Sequence, residues 1–359
     1  MMQFSTPGGV YNATPSRIIF GAGTASQIAQ EVSRLNASRA LVISTPGRGS
    51  LAQVTAQRLG SLCAGILPEA ISQVPIELAQ RGRSIVAKSG ADCLVAVGGG
   101  ASIGLAKGVA LELGIPVINM PTTYSGSEMT GFCGITIDGI KRMHTSLNML
   151  ARTVIYDPEL TLGLPTDVSA ASAMNALAHC VDAVVVSTCS PITAMAAHRG
   201  AQAICQSIEN VTKRPDDIEA RTQMLYGAYL SGAALTGGFA LQHGIAHVLG
   251  GSFGVSHGIS HALVLPHVAA FHARHFAPQI EPLARAMGLD CASLGPTIYD
   301  LLVKTGLPTS LAEIGFEKSN LDRAASITIE TDNGATPTEL TYGIVRQMLD
   351  DIYSGVRPR

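Results

Sequence analysis

Apolar and polar positions along the first 155 residues follow two alternating periods. Short runs rich in β-branched residues read as strands: Arg17-Ile-Ile-Phe20, Ala40-Leu-Val-Ile-Ser-Thr45, Asp92-Cys-Leu-Val-Ala-Val97 and Pro116-Val-Ile-Asn-Met-Pro121. The longer amphipathic stretches between them predict helices over residues 24–35, 50–62, 76–89 and 102–113. Strand–helix alternation of this kind predicts a parallel sheet with right-handed crossovers. After Tyr156-Asp157-Pro158 the texture changes. Ala/Leu/Met/Gln-rich stretches of helical spacing fill 165–350, broken at Pro191, Pro215, Gly250-Gly251 and Pro266. Two domains are expected, an α/β domain over residues 1–160 and an all-helical one over 161–359, with small molecules held in a cleft between them.

Two strand ends carry turns suited to anions. Gly98-Gly99-Gly100-Ala101-Ser102 follows one strand and opens a helix, so backbone N–H groups can approach a phosphate unobstructed at the positive end of the helix dipole. Pro121-Thr122-Thr123-Tyr124-Ser125-Gly126-Ser127-Glu128 follows the next strand and lines it with hydroxyls. A tight turn without a ligand, or a solvated loop with a helix cap, is the plain alternative for each. Neither is the Gly-x-Gly-x-x-Gly of the usual dinucleotide fold or a P-loop.

The second half carries the candidate chemistry. Seven of the ten histidines fall between 243 and 275, where His243/His247 and His257/His261 are each four residues apart. Asn175 and His179 repeat that spacing upstream. Residues four apart share a helix face, so each pair can aim two polar groups into one cavity. Imidazole is the side chain best suited to proton transfer near neutral pH and to metal ligation. A single histidine on an apolar helix is more often a satisfied core group.

Composition narrows the partners. The chain is 47% hydrophobic and 14% charged with a net charge of -2, which gives no electrostatic ground for nucleic acid. No apolar stretch is long enough to span a bilayer, and no secretory leader is read at the start, so a cytoplasmic protein is expected. The seven cysteines contain no Cys-x-x-Cys pair and fit free thiols in a reducing compartment. Cys180 adjoins His179, but neighbouring helical residues diverge, which argues against a thiolate nucleophile.

The motifs, taken in order, resemble the iron-containing (group III) alcohol dehydrogenase superfamily and, within it, the maleylacetate reductases. The resemblance runs from Phe20-Gly21-Ala-Gly23 through Gly98-Gly99-Gly100, Pro121–Glu128, Arg152–Pro158 and Met174–His179 to His243–Gly251 and His257–His267. It implies a Rossmann-like N-terminal domain with a mainly α-helical C-terminal domain, the dehydroquinate synthase-like architecture, assembled as a homodimer. The superfamily holds a divalent metal on an Asp and three His, positions that fall here on Asn175, His179, His243 and His257. An amide is a weaker ligand than a carboxylate. Maleylacetate reductases are similar in carrying Asn there and look metal-independent, so no bound metal is expected.

The resemblance implies NAD(P)H-dependent reduction of the enone double bond of maleylacetate to 3-oxoadipate in the breakdown of aromatic compounds. The substrate is a small dicarboxylate whose ketone already draws electrons from the alkene. His243, His247 and His257 are the candidates for enolate stabilisation and carboxylate binding, with His247 as proton relay, His179 and Asn175 beside them and Tyr124 as a further donor. Protonated histidines would also offset the substrate's charges. Gly98, Gly99, Gly100, Ser102, Thr122, Thr123 and Ser125 are expected at the cofactor, with Ser44 and Thr45 near its ribose and Lys141 within reach of ribose or carboxylate. Ser44-Thr45-Pro46 offers no acidic residue to exclude a 2′-phosphate and no basic cluster beyond Arg48 to bind one. NADH is expected, with NADPH open. His267 is assigned to structure, and His272 and His275 to the surface. The other readings are a metal-dependent alcohol or polyol dehydrogenase, a dehydroquinate-synthase-like lyase, and a nucleotide-binding protein without catalysis.

Overall fold

The computed structural model describes residues 16–332 and 335–359. They divide into two compact units, one ending at Leu164 and the other beginning at Pro165.

The first unit contains eight strands: β1 (Arg17–Phe20), β2 (Ala40–Ile43), β3 (Cys63–Leu67), β4 (Cys93–Gly98), β5 (Val117–Pro121), β6 (Phe132–Ile137), β7 (Ile140–Thr145) and β8 (Thr153–Tyr156). Six form a parallel sheet in the order β1-β8-β5-β4-β2-β3. Four helices accompany it: α1 (Ile28–Arg34), α2 (Gly49–Leu59), α3 (Ile76–Ser89) and α4 (Gly100–Leu113). Every residue of β2, β4 and β5 is buried, as expected where both faces of a parallel sheet are covered. Alternation along β4 sorts the core: Val95 and Val97 pack with Ile28, Val32 and Ala52, whereas Leu94 and Ala96 pack with Ala79, Ile103 and Val109.

The helix expected from residue 24 starts later. Thr24–Gln27 form a 3-10 turn before α1. The buried Asp157 carboxylate accepts the N–H groups of Gly23 (3.1 Å), Ala25 (2.8 Å) and Glu159 (3.0 Å), pinning this turn to the end of β8. β6 and β7 form a separate antiparallel hairpin. Its turn, Asp138-Gly139, has φ of 51° and 74°, the left-handed pair that joins two-residue hairpins.

The second unit is helical: α5 (Thr166–Ala183), α6 (Pro191–Lys213), α7 (Ile218–Leu235), α8 (Leu241–Phe253), α9 (His257–His275), α10 (Ala277–Ala286), α11 (Leu294–Lys304), α12 (Leu321–Asp332) and α13 (Tyr342–Ser354). α5 packs against α6, α7, α8 and α9, and residues 173–183 are all buried. Two expected breaks are absent. Gly250 and Gly251 lie inside α8, and Pro266 lies inside α9. Burial of residues 260–273 of α9, with α5, α8, α11 and α13 packed around it, outweighs the lost N–H at Pro266. Pro191, by contrast, opens α6, where a missing N–H costs nothing.

Candidate active site

α5 is an apolar helix with a polar stripe. Asn175, His179 and Asp182 recur at steps of four and three, so they share one face. α8 adds His243 and His247, and α9 adds His257 and His261. The rings meet. Centroids of His179 and His243 are 5.1 Å apart and stacked; His243–His261 is 4.7 Å, His257–His261 4.6 Å and His247–His257 5.9 Å. Phe239 walls one side, 5.4 Å from the His243 ring and 5.7 Å from His247. Asn175, His179, His243 and His261 are buried, His247 is half-buried and His257 is exposed, so the cluster grades from interior to surface.

Burial, reinforced by repulsion from His243 and His257, holds His179 well below the ordinary imidazole range; the Asp182 carboxylate opposes this. His261 is depressed likewise, by burial and then by His257, His243, His247 and His179. These two rings are therefore neutral at neutral pH. Asn175 Oδ1, His179 Nδ1, His243 Nε2 and His261 Nε2 are buried without a hydrogen-bond partner. Polar atoms left bare in an interior point to a ligand.

Asp182 is missing from the residues named on sequence grounds. It is fully buried and accepts from His243 Nδ1 (2.8 Å), His272 Nε2 (3.2 Å) and the backbone N–H groups of Ala240 (2.8 Å), His243 (3.1 Å) and Gln242 (3.3 Å). Burial raises a carboxyl's affinity for a proton, yet the histidine contacts win and hold Asp182 well below its usual range. A signal was available, since Asp182 is the sole Asp, Glu, Lys or Arg between residues 168 and 198. His272, expected on the surface, is fully buried because it donates to that carboxylate; His275 is exposed. Cys180 is buried and its thiol pushed up, which suits its exclusion as a nucleophile. All seven cysteines are free. A separate cavity of about 610 Å³, bounded by His267, Arg274, Asp351 and Arg357, contains none of the predicted site residues.

In the first unit the expected cofactor turns lie side by side. Gly98 pairs with Pro121 across β4 and β5, and Thr122 N–H donates to the Gly98 carbonyl (3.0 Å). α4 begins with no side-chain cap, leaving its first N–H groups open to an anion. Gly98 has φ 149°, and a Cβ there would fall 2.3 Å from Ser102 Oγ; one on Gly99 would fall 2.9 Å from Thr123. Ser44 follows β2, the other neighbour of β4, but its hydroxyl is spent on the Arg48 carbonyl (3.4 Å), and Thr45 follows it half-buried. Lys141 is on the β6–β7 hairpin, its stem against Gly134. Tyr124 is wholly buried.

Beneath the second turn is a polar core that sequence reasoning did not find. Lys107 is fully buried on α4 and donates to Ser127 O (2.5 Å), Thr130 Oγ1 (2.9 Å) and Phe132 O (3.0 Å). Burial pushes its ammonium down to about 8, opposed by Cys133 and Glu128. Buried Glu128 accepts from Tyr156 Oη (2.9 Å) and Ser125 Oγ (3.2 Å), and burial raises its carboxyl.

Residues 15–158 match the family Iron-containing alcohol dehydrogenase, and residues 169–353 match Fe-containing alcohol dehydrogenase family, C-terminal. The chain belongs to the iron-containing alcohol dehydrogenase family and is an oxidoreductase. It is 39% identical to the maleylacetate reductase of Burkholderia cepacia over 350 residues, 97% of this chain and 99% of that protein. The crystal structure of maleylacetate reductase from Agrobacterium tumefaciens superposes with a TM-score of 0.92 at 38% identity, covering 98% of this chain and 99% of that one. A putative alcohol dehydrogenase from Ralstonia eutropha gives 0.94 at 41% identity, with the same coverage. No described helix is long and apolar enough to cross a membrane.

Membership of this family implies a bound metal and corrects the expectation of a metal-free site. The residues fit one: the ligating nitrogens of His247, His257 and His261 all lie within 4.8 Å of one another, and buried His261 is neutral, the form in which imidazole ligates.

Proposed function

We propose that the protein reduces the carbon–carbon double bond of maleylacetate to give 3-oxoadipate, with NADH as hydride donor and the cytoplasm, which suits its free thiols, as its setting. The observation that carries this reading is the five-ring histidine cluster with Asn175, on a chain matching a maleylacetate reductase over 97% of its length. Hydride adds to the alkene carbon β to the ketone, NADH becomes NAD⁺, and the electron pair moves to an enolate. One proton at the intervening carbon completes the product. The Gly98–Ser102 and Thr122–Ser125 turns hold the cofactor phosphates, with backbone N–H groups as the donors.

His247, His257 and His261 would hold the family's metal, which as a Lewis acid polarises a carbonyl oxygen. The remaining work belongs to the chain. His243 has its Nδ1 committed to Asp182, which leaves Nε2 as the nitrogen available beside His247, the expected proton relay. Asn175 Oδ1, buried and unpartnered, orients a donor group, and the Phe239 ring excludes water from His243.

The test is oxidation of NADH, followed by absorbance, with freshly prepared maleylacetate, and identification of 3-oxoadipate as product. Turnover confined to alcohols or polyols with NAD⁺ would show a dehydrogenase of the ordinary kind instead.

A further inference from the structure

The Asp182 carboxylate is the one charged side chain on the α5 face that meets the cluster, and each of its hydrogen-bond partners is a donor. Oδ2 faces Ala240 N–H, His243 N–H and His243 Nδ1; Oδ1 faces Gln242 N–H and His272 Nε2. An ionised carboxylate only accepts, so both ring nitrogens facing it must carry hydrogen. That requirement puts a hydrogen on His243 Nδ1, while Nε2 is buried with no protein partner beside the rings of His179 and His261.

The same carboxylate caps α8. Ala240, Gln242 and His243 supply the N–H groups that a helix N-terminus leaves without intrahelical partners, and no side chain of that segment caps them. The helix dipole favours negative charge at this point. One buried charge therefore fixes both the start of the helix that carries His243 and the rotation of the His243 ring. His272, fifteen residues beyond His257 on α9, closes the far side of the carboxylate and ties the third helix to the same atom group.

We propose that Asp182 is a positioning residue for the reduction: with His272 behind it, it fixes the His243 ring with Nδ1–H on the carboxylate, so that Nε2 is turned into the cluster. This rests on the functional reading above, and its test separates the two. Long-range ¹⁵N NMR of zinc-loaded enzyme labelled at histidine, with His243 assigned by comparison with His243→Gln, reads the tautomer without any substrate. The proposal expects a protonated Nδ1 at His243; a protonated Nε2 with bare Nδ1 overturns it even if maleylacetate is turned over.

Asp182→Asn keeps an oxygen for the α8 N–H groups but removes the charge. The expected result is a fall of about 10- to 100-fold in kcat with a much smaller change in KM, the scale found for groups that orient a catalytic or ligating histidine. Asp182→Glu, which restores a carboxylate, is expected to recover part of the loss. Should Asp182→Asn fail to fold, the wild-type tautomer still decides. Turnover within twofold of wild type in a folded Asp182→Asn sinks the proposal. Absence of maleylacetate turnover in wild type with the Nδ1–H tautomer intact sinks the functional reading and leaves the ring geometry standing.

Discussion

A histidine ring offers two nitrogens, and what occupies one decides what the other can do. At His261 the Gln242 amide lies 3.3 Å from Nδ1 and donates to the His261 carbonyl (3.2 Å), which leaves Nε2 buried and bare beside His247 and His257. Enzyme prepared without chelator is expected to contain one divalent metal per chain by elemental analysis. His261→Gln is expected to weaken metal affinity about 10-fold or more, while Tyr124→Phe, in the other unit, leaves it unchanged. Equal metal content in wild type and His261→Gln would remove this triad as the site. The histidines themselves could be read from the sequence because each pair repeats at the helical step of four. Asp182 and His272 could not be placed that way. Their partnership joins α5 to α9 across 90 residues of chain, and local spacing contains no information about which helices will touch.

At the scale of elements, the first unit's strand–turn–helix pieces follow from local pattern. β4 is apolar at nearly every position, ends in glycines, and runs into α4 as expected. Gly98 then has two reasons to be glycine: φ of 149°, and Ser102 Oγ where a Cβ would stand. Gly98→Ala is expected to cost about 1–3 kcal/mol of stability through backbone strain and to raise the Kd for NADH several-fold, by calorimetry and fluorescence titration. Wild-type affinity in that variant would show that the turn holds no phosphate. Where elements were misjudged, distant contacts had the last word. The Asp157 carboxylate delays α1 from beyond β8, and helices packed around α9 carry it through Pro266. The Lys107 core shows the same limit. A lysine inside a Gly- and Ala-rich helix reads as an exposed charge until the Ser127–Phe132 segment folds over it.

The whole molecule has a built-in acid sensitivity. Burial pushes His267 down to about 4, only partly offset by Asp351. A depressed imidazole binds its proton in the unfolded chain first. Its contribution to stability is therefore complete above pH 6.5, declines as the pH falls, and is lost by pH 4. The window corresponds to ~3 kcal/mol. His179 and His261 act in the same direction. Chemical unfolding measured from pH 7.5 to 4 should show this decline, flattened in His267→Phe; an unchanged slope in that variant would assign the loss to other groups.

The sheet order also sets a timetable for synthesis. Among the described residues Arg17–Phe20 has a single neighbour in the sheet, β8, and that partner is the last strand of the unit to leave the ribosome. At ordinary elongation rates β1 waits roughly ten seconds for that partner. The nascent chain must keep it from strangers for that interval, and a transcript cut short before Thr153 would release a fragment whose sheet has lost β8, the strand that joins β1 to β5.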